Sequence, residues 1–206
     1  MHKKLSTILG TLIVVLLFIL AEILAHKYSL SISDFVKDRE LLSQLFFVLM
    51  AALAIIIPVW SNMFLIPIAV VAFGSLTTAL LCITGWWIGS VTSFFIARMY
   101  KEWILKQYNS LKDYQFIDSY IPKNRTILSL IFLRMTIPVD VLSYALGLFS
   151  TRISWKQNAI TTLIGIVPFS FIFSYIGLFS MQVQVAIFVV TALLFFIYIA
   201  LQKRNN

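Results

Sequence analysis

Five stretches of this sequence, residues 8–25, 41–60, 63–97, 127–133 and 159–201, carry almost no charged side chains. A bilayer crossing takes about 20 apolar residues in a helix, and several of these runs are that long or longer. No soluble fold of this size can hide so much continuous apolar chain. Soluble domains carry about 25% charged residues; here the fraction is 12%, with 61% hydrophobic residues and a mean hydropathy of +0.96. The fold class that follows is a single all-α integral membrane domain over residues 1–206, with about five transmembrane helices.

Punctuation within the runs sets the organisation. The first span is expected near residues 5–25, retained as a helix because no clean small-x-small cleavage site follows it. A short polar loop, 26–40, leads to a second span near 41–60. Residues 61–98 are too long for one span and are interrupted by Pro67, Gly74, Gly85 and Gly89. They read as a re-entrant hairpin at about 62–84 and then a third span from about Gly85, with Trp86 and Trp87 as interface anchors. Residues 101–125 form a polar linker, either an ordinary solvated connector or a segment lying flat on the membrane through Ile104, Tyr108 and Leu111. The pattern then repeats. A second broken segment, at about 127–152, carries Pro138 and Gly147, and a span near 155–179 contains Pro168. A final span is expected near 181–201. Two broken hairpins, each followed by a span, give an inverted-repeat-like arrangement, and such transporters place their site where the broken elements meet.

The second hairpin holds the most unusual residues. Arg134 and Asp140 flank Pro138 inside an otherwise apolar segment. An Arg or Asp at the centre of a membrane helix costs roughly 2.5–3.5 kcal/mol on insertion scales, so such residues default to a functional reading. Glu22, near the end of the first span, reads as interfacial.

Several classes are excluded. The net charge of +8 comes from Lys and Arg in the loops, where they orient the chain, and it does not indicate nucleic acid. With the linker in the cytoplasm, Lys27, Lys37, Arg39, Arg152, Lys156, Lys203 and Arg204 lie on the same side and only Lys3 and Lys4 lie outside. Cys82 is the sole cysteine, and His2 and His26 are too few and too far apart for zinc. No metal, no cofactor and no enzymatic motif is expected.

The block Arg134-Met-Thr-Ile-Pro138-Val-Asp140-Val-Leu-Ser-Tyr144-Ala-Leu-Gly147, followed by Gly165, Pro168 and Tyr175-Ile-Gly177, resembles the VTT-domain family, also called DedA-like or SNARE-associated Golgi proteins. It is most similar to the branch typified by the yeast Tlg-type vesicle protein. Pro67, Gly74, Gly85, Gly89 and Phe94-x-x-x-Arg98 match in the N-terminal half, so the resemblance covers about residues 58–177. It implies two facing re-entrant hairpins and the movement of lipids between leaflets: scrambling in eukaryotic members and recycling of undecaprenyl phosphate carriers in some bacterial ones. It also implies a link to the proton-motive force in some bacterial members. The chain departs from the pattern in three places. One proline follows the arginine where many members have two, and Ser143 stands before Tyr144 where many have Asn. The first hairpin lacks the acidic residue of the DedA branch, which leaves Asp140 as the leading proton candidate and Glu22 a distant second.

The expected substrates are membrane lipids that are anionic or phosphate-bearing, in the plasma (cytoplasmic) membrane if the chain is prokaryotic, with a homo-oligomer possible. Arg suits a lipid phosphate because its fork binds two oxygens and stays charged. Arg134 reads either as that contact or as half of a structural pair with Asp140. Arg98 reads as a second phosphate contact or as an interface-snorkelling residue. Tyr144 can donate a hydrogen bond or pack, and Pro138 shapes the break. Gly85, Gly89, Gly147, Gly165 and Gly177 permit close helix approach, Pro67 and Gly74 shape the first hairpin, and Pro168 kinks its span. A proton- or ion-coupled small-solute transporter and a non-transporting membrane organiser are the alternatives.

Overall fold

A computed structural model describes residues 17, 19–21, 23–25, 27–37, 39–57, 63–107 and 121–179, and among these every regular element is helical. The order is α1 (Ser29–Lys37), α2 (Glu40–Ile56), α3 (Leu65–Phe73), α4 (Ser75–Met99), α5 (Lys101–Gln107), α6 (Thr126–Thr136), α7 (Val139–Phe149) and α8 (Trp155–Tyr175), with 3₁₀ turns at Lys123–Arg125 and Ile176–Leu178. Two of them, α4 and α8, are long and apolar enough to cross a bilayer. At 1.5 Å per residue, the 25 residues of α4 run about 37 Å and the 21 of α8 about 31 Å, against a hydrocarbon core of about 30 Å. The 17 residues of α2 fall just short. The first and last expected spans lie, in whole or large part, outside the described residues, as do Glu22, His2, His26, Tyr108 and Leu111.

The long helix α4 is the axis of the fold, packing against α2, α3, α7 and α8. Its contact with α2 follows from Gly85 and Gly89, one turn apart. A Cβ on Gly85 would stand 2.6 Å from the Ala51 Cβ, and one on Gly89 would stand 2.6 Å from the Ala52 carbonyl oxygen. Small residues at that spacing let two backbones close together where lipid supplies no hydrophobic drive. Phe47, Ala51, Ile66, Cys82, Trp86 and Ile166 fill one cluster between α2, α3, α4 and α8, and Phe94, Leu130, Leu142, Leu146 and Ile153 fill a second under the C-terminal half of α4. The outer face of α2 exposes Leu41, Leu42, Leu45, Phe46 and Leu49. A helix apolar on all sides suits a membrane surround.

The structure moves one boundary. No new element begins at Gly85, because α4 is continuous from Ser75, so the return arm of the first broken segment and the expected third span are one helix. A glycine inside a helix costs about 1 kcal/mol and need not break it; Gly85 serves the packing with α2. Trp86 and Trp87 consequently fall in mid-helix and face inward. Trp86 is buried edge-on to Phe173, with ring centroids 6.4 Å apart, and the Trp87 indole donates to the Ala159 carbonyl at 3.0 Å. They do not anchor the end of a span.

The break is made by Gly74 alone, at φ 80°, ψ 161° between α3 and α4. That region is essentially closed to side chains and costs about 1–3 kcal/mol to occupy. A Cβ there would meet nothing within 4 Å. Gly74→Ala is therefore expected to destabilise by about 1–3 kcal/mol through backbone strain alone, read as a lower melting temperature in detergent. Pro67 sits in the first turn of α3, where a missing amide breaks no helical bond. In the second broken segment, Ile137 is extended (φ −108°, ψ 135°), as a residue before proline must be, and Pro138 opens α7. With 11 residues each, α6 and α7 reach about 16 Å apiece, half a bilayer core. Helix α8 starts on a capping box, Ser154 with Gln157, and continues through the exposed Pro168.

Candidate functional site

Arg134 lies in the last turn of α6, where the helix dipole favours a cation. Its stem passes directly over α8 because Gly165 has no side chain: a Cβ there would stand 2.6 Å from the Arg134 Cβ. The guanidinium is carried inward, and the residue is 2% exposed. Nη1 donates to the Val139 carbonyl and to the Ser143 Oγ, both at 2.8 Å, and Nη2 donates to the Asn158 Oδ1 at 2.5 Å. The Ser143 hydroxyl donates in turn to the Val139 carbonyl at 2.6 Å. Ser90, from the middle of α4, lies 2.8 Å from the Ser143 Oγ and 3.0 Å from the Thr162 Oγ1. Thr162 donates to the Asn158 carbonyl at 2.6 Å. One polar network thus joins α4, α6, α7 and α8 around a single positive charge.

The network is incomplete. The Nε of Arg134 and the Nδ2 of Asn158 are buried donors with no acceptor among the described residues. Every acceptor on the guanidinium is a neutral oxygen, and no described carboxylate pairs with it. A buried cation is ordinarily matched by an anion, because desolvation costs several kcal/mol that neutral dipoles offset only in part. The site can therefore accept a negative oxygen.

The other sequence candidates disperse. Asp140 is half-buried in the first turn of α7, where the helix dipole favours a carboxylate, and forms no ion pair with Arg134. The reason is helical phase. Val139 and Ser143, one turn apart, form the face that meets Arg134, and Asp140 is rotated about 100° away from it. Arg98 is also elsewhere: its Nη2 donates to the Ser150 carbonyl at 2.6 Å and to the Leu146 carbonyl at 3.4 Å, and its guanidinium lies 4.5 Å from the Phe94 ring centre. It fastens the C-terminus of α7, where the Leu146 carbonyl also accepts from the Ser150 amide at 3.2 Å. Tyr144 donates at 2.6 Å to the carbonyl of Ile56, the last residue of α2, and Ser93 donates to Ile55 at 3.2 Å. Both fasten the C-terminal end of α2, one to α7 and one to α4. Pro138 is exposed at the break. Gly147 lets α7 press on α4, and Gly177 falls in the 3₁₀ turn after α8.

Asn158, Ser90 and Thr162 complete the site, and nothing in the sequence sets them apart. Serine and threonine in apolar helices can bond their own preceding turn, as Thr92 and Thr136 do here, so a hydroxyl in a span signals little. Asn158 was the detectable one, an amide three residues beyond Trp155 in a long uncharged stretch. Among the described residues no group of His, Cys, Asp and Glu can hold a metal. A groove of about 840 Å³ between α1, α2 and α3, lined by Arg39, Phe46, Phe47, Ile68 and Phe73 among others, lies apart from Arg134.

Comparison with known proteins bears on this arrangement. The VTT domain matches residues 48–179, which include α3, α4, both arms of the second broken segment, α8 and every residue of the Arg134 network. No curated protein and no solved structure gives a match. A match over well more than half of the sequence, on an all-helical fold with two helices able to cross a bilayer, places this chain in the VTT-domain family, the DedA-like and SNARE-associated group of membrane-associated proteins that are generally not enzymes.

Proposed function

We propose that this protein moves phosphate-bearing lipids between membrane leaflets, and that Arg134 receives the phosphate. The observation that carries the reading is the buried Arg134 guanidinium, held only by neutral oxygens, with its Nε and the neighbouring Asn158 Nδ2 unspent. A phosphate crossing the bilayer needs a charge and several hydrogen-bond donors along its path, and a guanidinium supplies both in a planar fork. In this reading α6 and α7 enter the membrane from one side as a re-entrant hairpin. The α3–Gly74–α4 turn faces them, and lipid passes between the two broken elements. If the chain is prokaryotic the setting is the cytoplasmic membrane, and any proton coupling falls to Asp140, which follows Val139 on α7.

A second reading has an observation of its own. Three acceptors drawn from α7 and α8 hold Arg134 firmly, as they would hold a residue that only ties the fold together in a non-transporting membrane organiser.

The test is leaflet exchange by purified protein in phosphatidylcholine vesicles, using tail-labelled phosphatidylglycerol and dithionite quenching. The wild type is expected to expose the inner-leaflet label and Arg134→Gln to remain at the protein-free rate. No exchange by the wild type removes the function, and wild-type exchange by Arg134→Gln removes the site.

A further inference from the structure

Asn158 occupies an odd chemical position. The residue is 1% exposed, and its side chain spends its acceptor oxygen on Arg134 Nη2 while Nδ2 has no partner among the described residues. An unsatisfied buried amide is costly, and stability alone would favour an apolar residue or, beside a lone guanidinium, a carboxylate. Nor is the placement accidental. Asn158 stands in the first turn after the Ser154–Gln157 capping box, and its backbone carbonyl is gripped by Thr162 at 2.6 Å. The amide is held against the guanidinium by a rigid helix start.

We propose that Asn158 is a placeholder ligand whose Oδ1 occupies the position a substrate oxyanion takes, holding the guanidinium in the unloaded state without neutralising it. In the covalent geometry of arginine, Nε–H lies along the edge that Nε shares with Nη2, the nitrogen that bonds Asn158. An entering phosphate takes that edge with two oxygens, displacing Oδ1 from Nη2 and satisfying the idle Nε–H. The released amide then offers its idle Nδ2 protons to the same anion. The guanidinium is the ionised donor in either case, but only the phosphate brings an opposite charge and two oxygens matched to the fork, so it outcompetes a single neutral amide oxygen. Because the amide remains a competitor, the anion is also released. Selectivity follows: a lipid without an anionic oxygen cannot displace Asn158. The class of substrate is thus a lipid with a phosphate monoester or diester, and Asn158 is a specificity-determining residue of the site.

This inference rests on the reading of Arg134 as the phosphate contact, and the experiment separates the two. Asn158→Asp places a fixed anion on the guanidinium. It is expected to raise the melting temperature in detergent while lowering phosphatidylglycerol exchange by about tenfold or more. Added phosphatidylglycerol is expected to raise the melting temperature of the wild type, as a ligand that binds only the folded state must. It should not raise that of Asn158→Asp, and tail-labelled glucosylceramide, which has no phosphate, should have no effect on either. Wild-type exchange and a wild-type lipid shift in Asn158→Asp, with Arg134→Gln still inactive, would overturn the placeholder and leave the Arg134 site standing. A drop in melting temperature for Asn158→Asp would also overturn it. Exchange retained in Arg134→Gln would instead remove the reading beneath it.

Discussion

A double variant, Arg134→Met with Asn158→Leu, is expected to move no phosphatidylglycerol and yet to melt no lower than the wild type. The loss of exchange follows from the loss of the only charge in the network. Stability should survive for three reasons. The methionine stem keeps the contact with α8 at Gly165. The partners left behind are not orphaned, since Ser143 keeps Ser90 and the Val139 carbonyl keeps the Ser143 hydroxyl. The buried cation, which costs roughly 2.5–3.5 kcal/mol at membrane depth, is gone. Replacing buried ionic groups by apolar residues of like volume is neutral or stabilising by about 1–4 kcal/mol in known cases. Arg134→Met alone should be less stable than the double variant by about 1–3 kcal/mol, because it strands the Asn158 amide at both ends. The pair must therefore couple in a double-mutant cycle measured by thermal melting in detergent. If the double variant instead melts far below the wild type, Arg134 is a tie of the fold, and the organiser reading takes the place of transport.

Gly147→Leu is expected to be the most damaging single change to the fold, at more than about 3 kcal/mol, an exceptional cost for one substitution. A Cβ at this position would stand 2.6 Å from both the Ala97 Cβ and the Phe94 carbonyl oxygen, and 3.3 Å from the Arg98 amide nitrogen. Two of the three obstacles are backbone of α4, which cannot rotate aside, so α7 must move away. That movement draws the Leu146 and Ser150 carbonyls from Arg98, and the Val139 carbonyl and Ser143 from Arg134. Melting temperature in detergent and exchange should fall together. A wild-type melting temperature for Gly147→Leu would show that α7 and α4 do not meet here. The contrast with Gly74 is physical: there a Cβ has open space and an unfavourable backbone angle, whereas at Gly147 the backbone is ordinary helix and the space is filled.

Much of this was legible in the sequence. The apolar runs give an all-helical chain, because lipid leaves a backbone no other way to satisfy itself short of a closed barrel. The break at Ile137–Pro138 follows from proline stereochemistry, and the importance of Arg134 from the cost of its burial. Gly74 and Gly85 show where local reading stops. Both interrupt the same run, but one supplies a backbone angle and the other a packing surface, and which does which depends on whether α2 lies alongside. Trp86 and Trp87 were misplaced for the same reason: a tryptophan at the end of a span and one in its middle look alike until the span's start is known.

The partner of Arg134 shows the division most clearly. Six residues along the chain, Asp140 was the natural counterpart by charge and proximity. Helical phase turns it away, and the acceptors come from Val139, Ser143 and, 24 residues on, Asn158. The sequence by itself determined that a charge would be buried at a helix break, because composition and proline geometry act locally. Only the tertiary structure decided that this charge would meet neutral oxygens and keep a donor unspent, because the acceptors are brought to it by the packing of α7 and α8, and packing between helices is settled by side chains far apart in the chain.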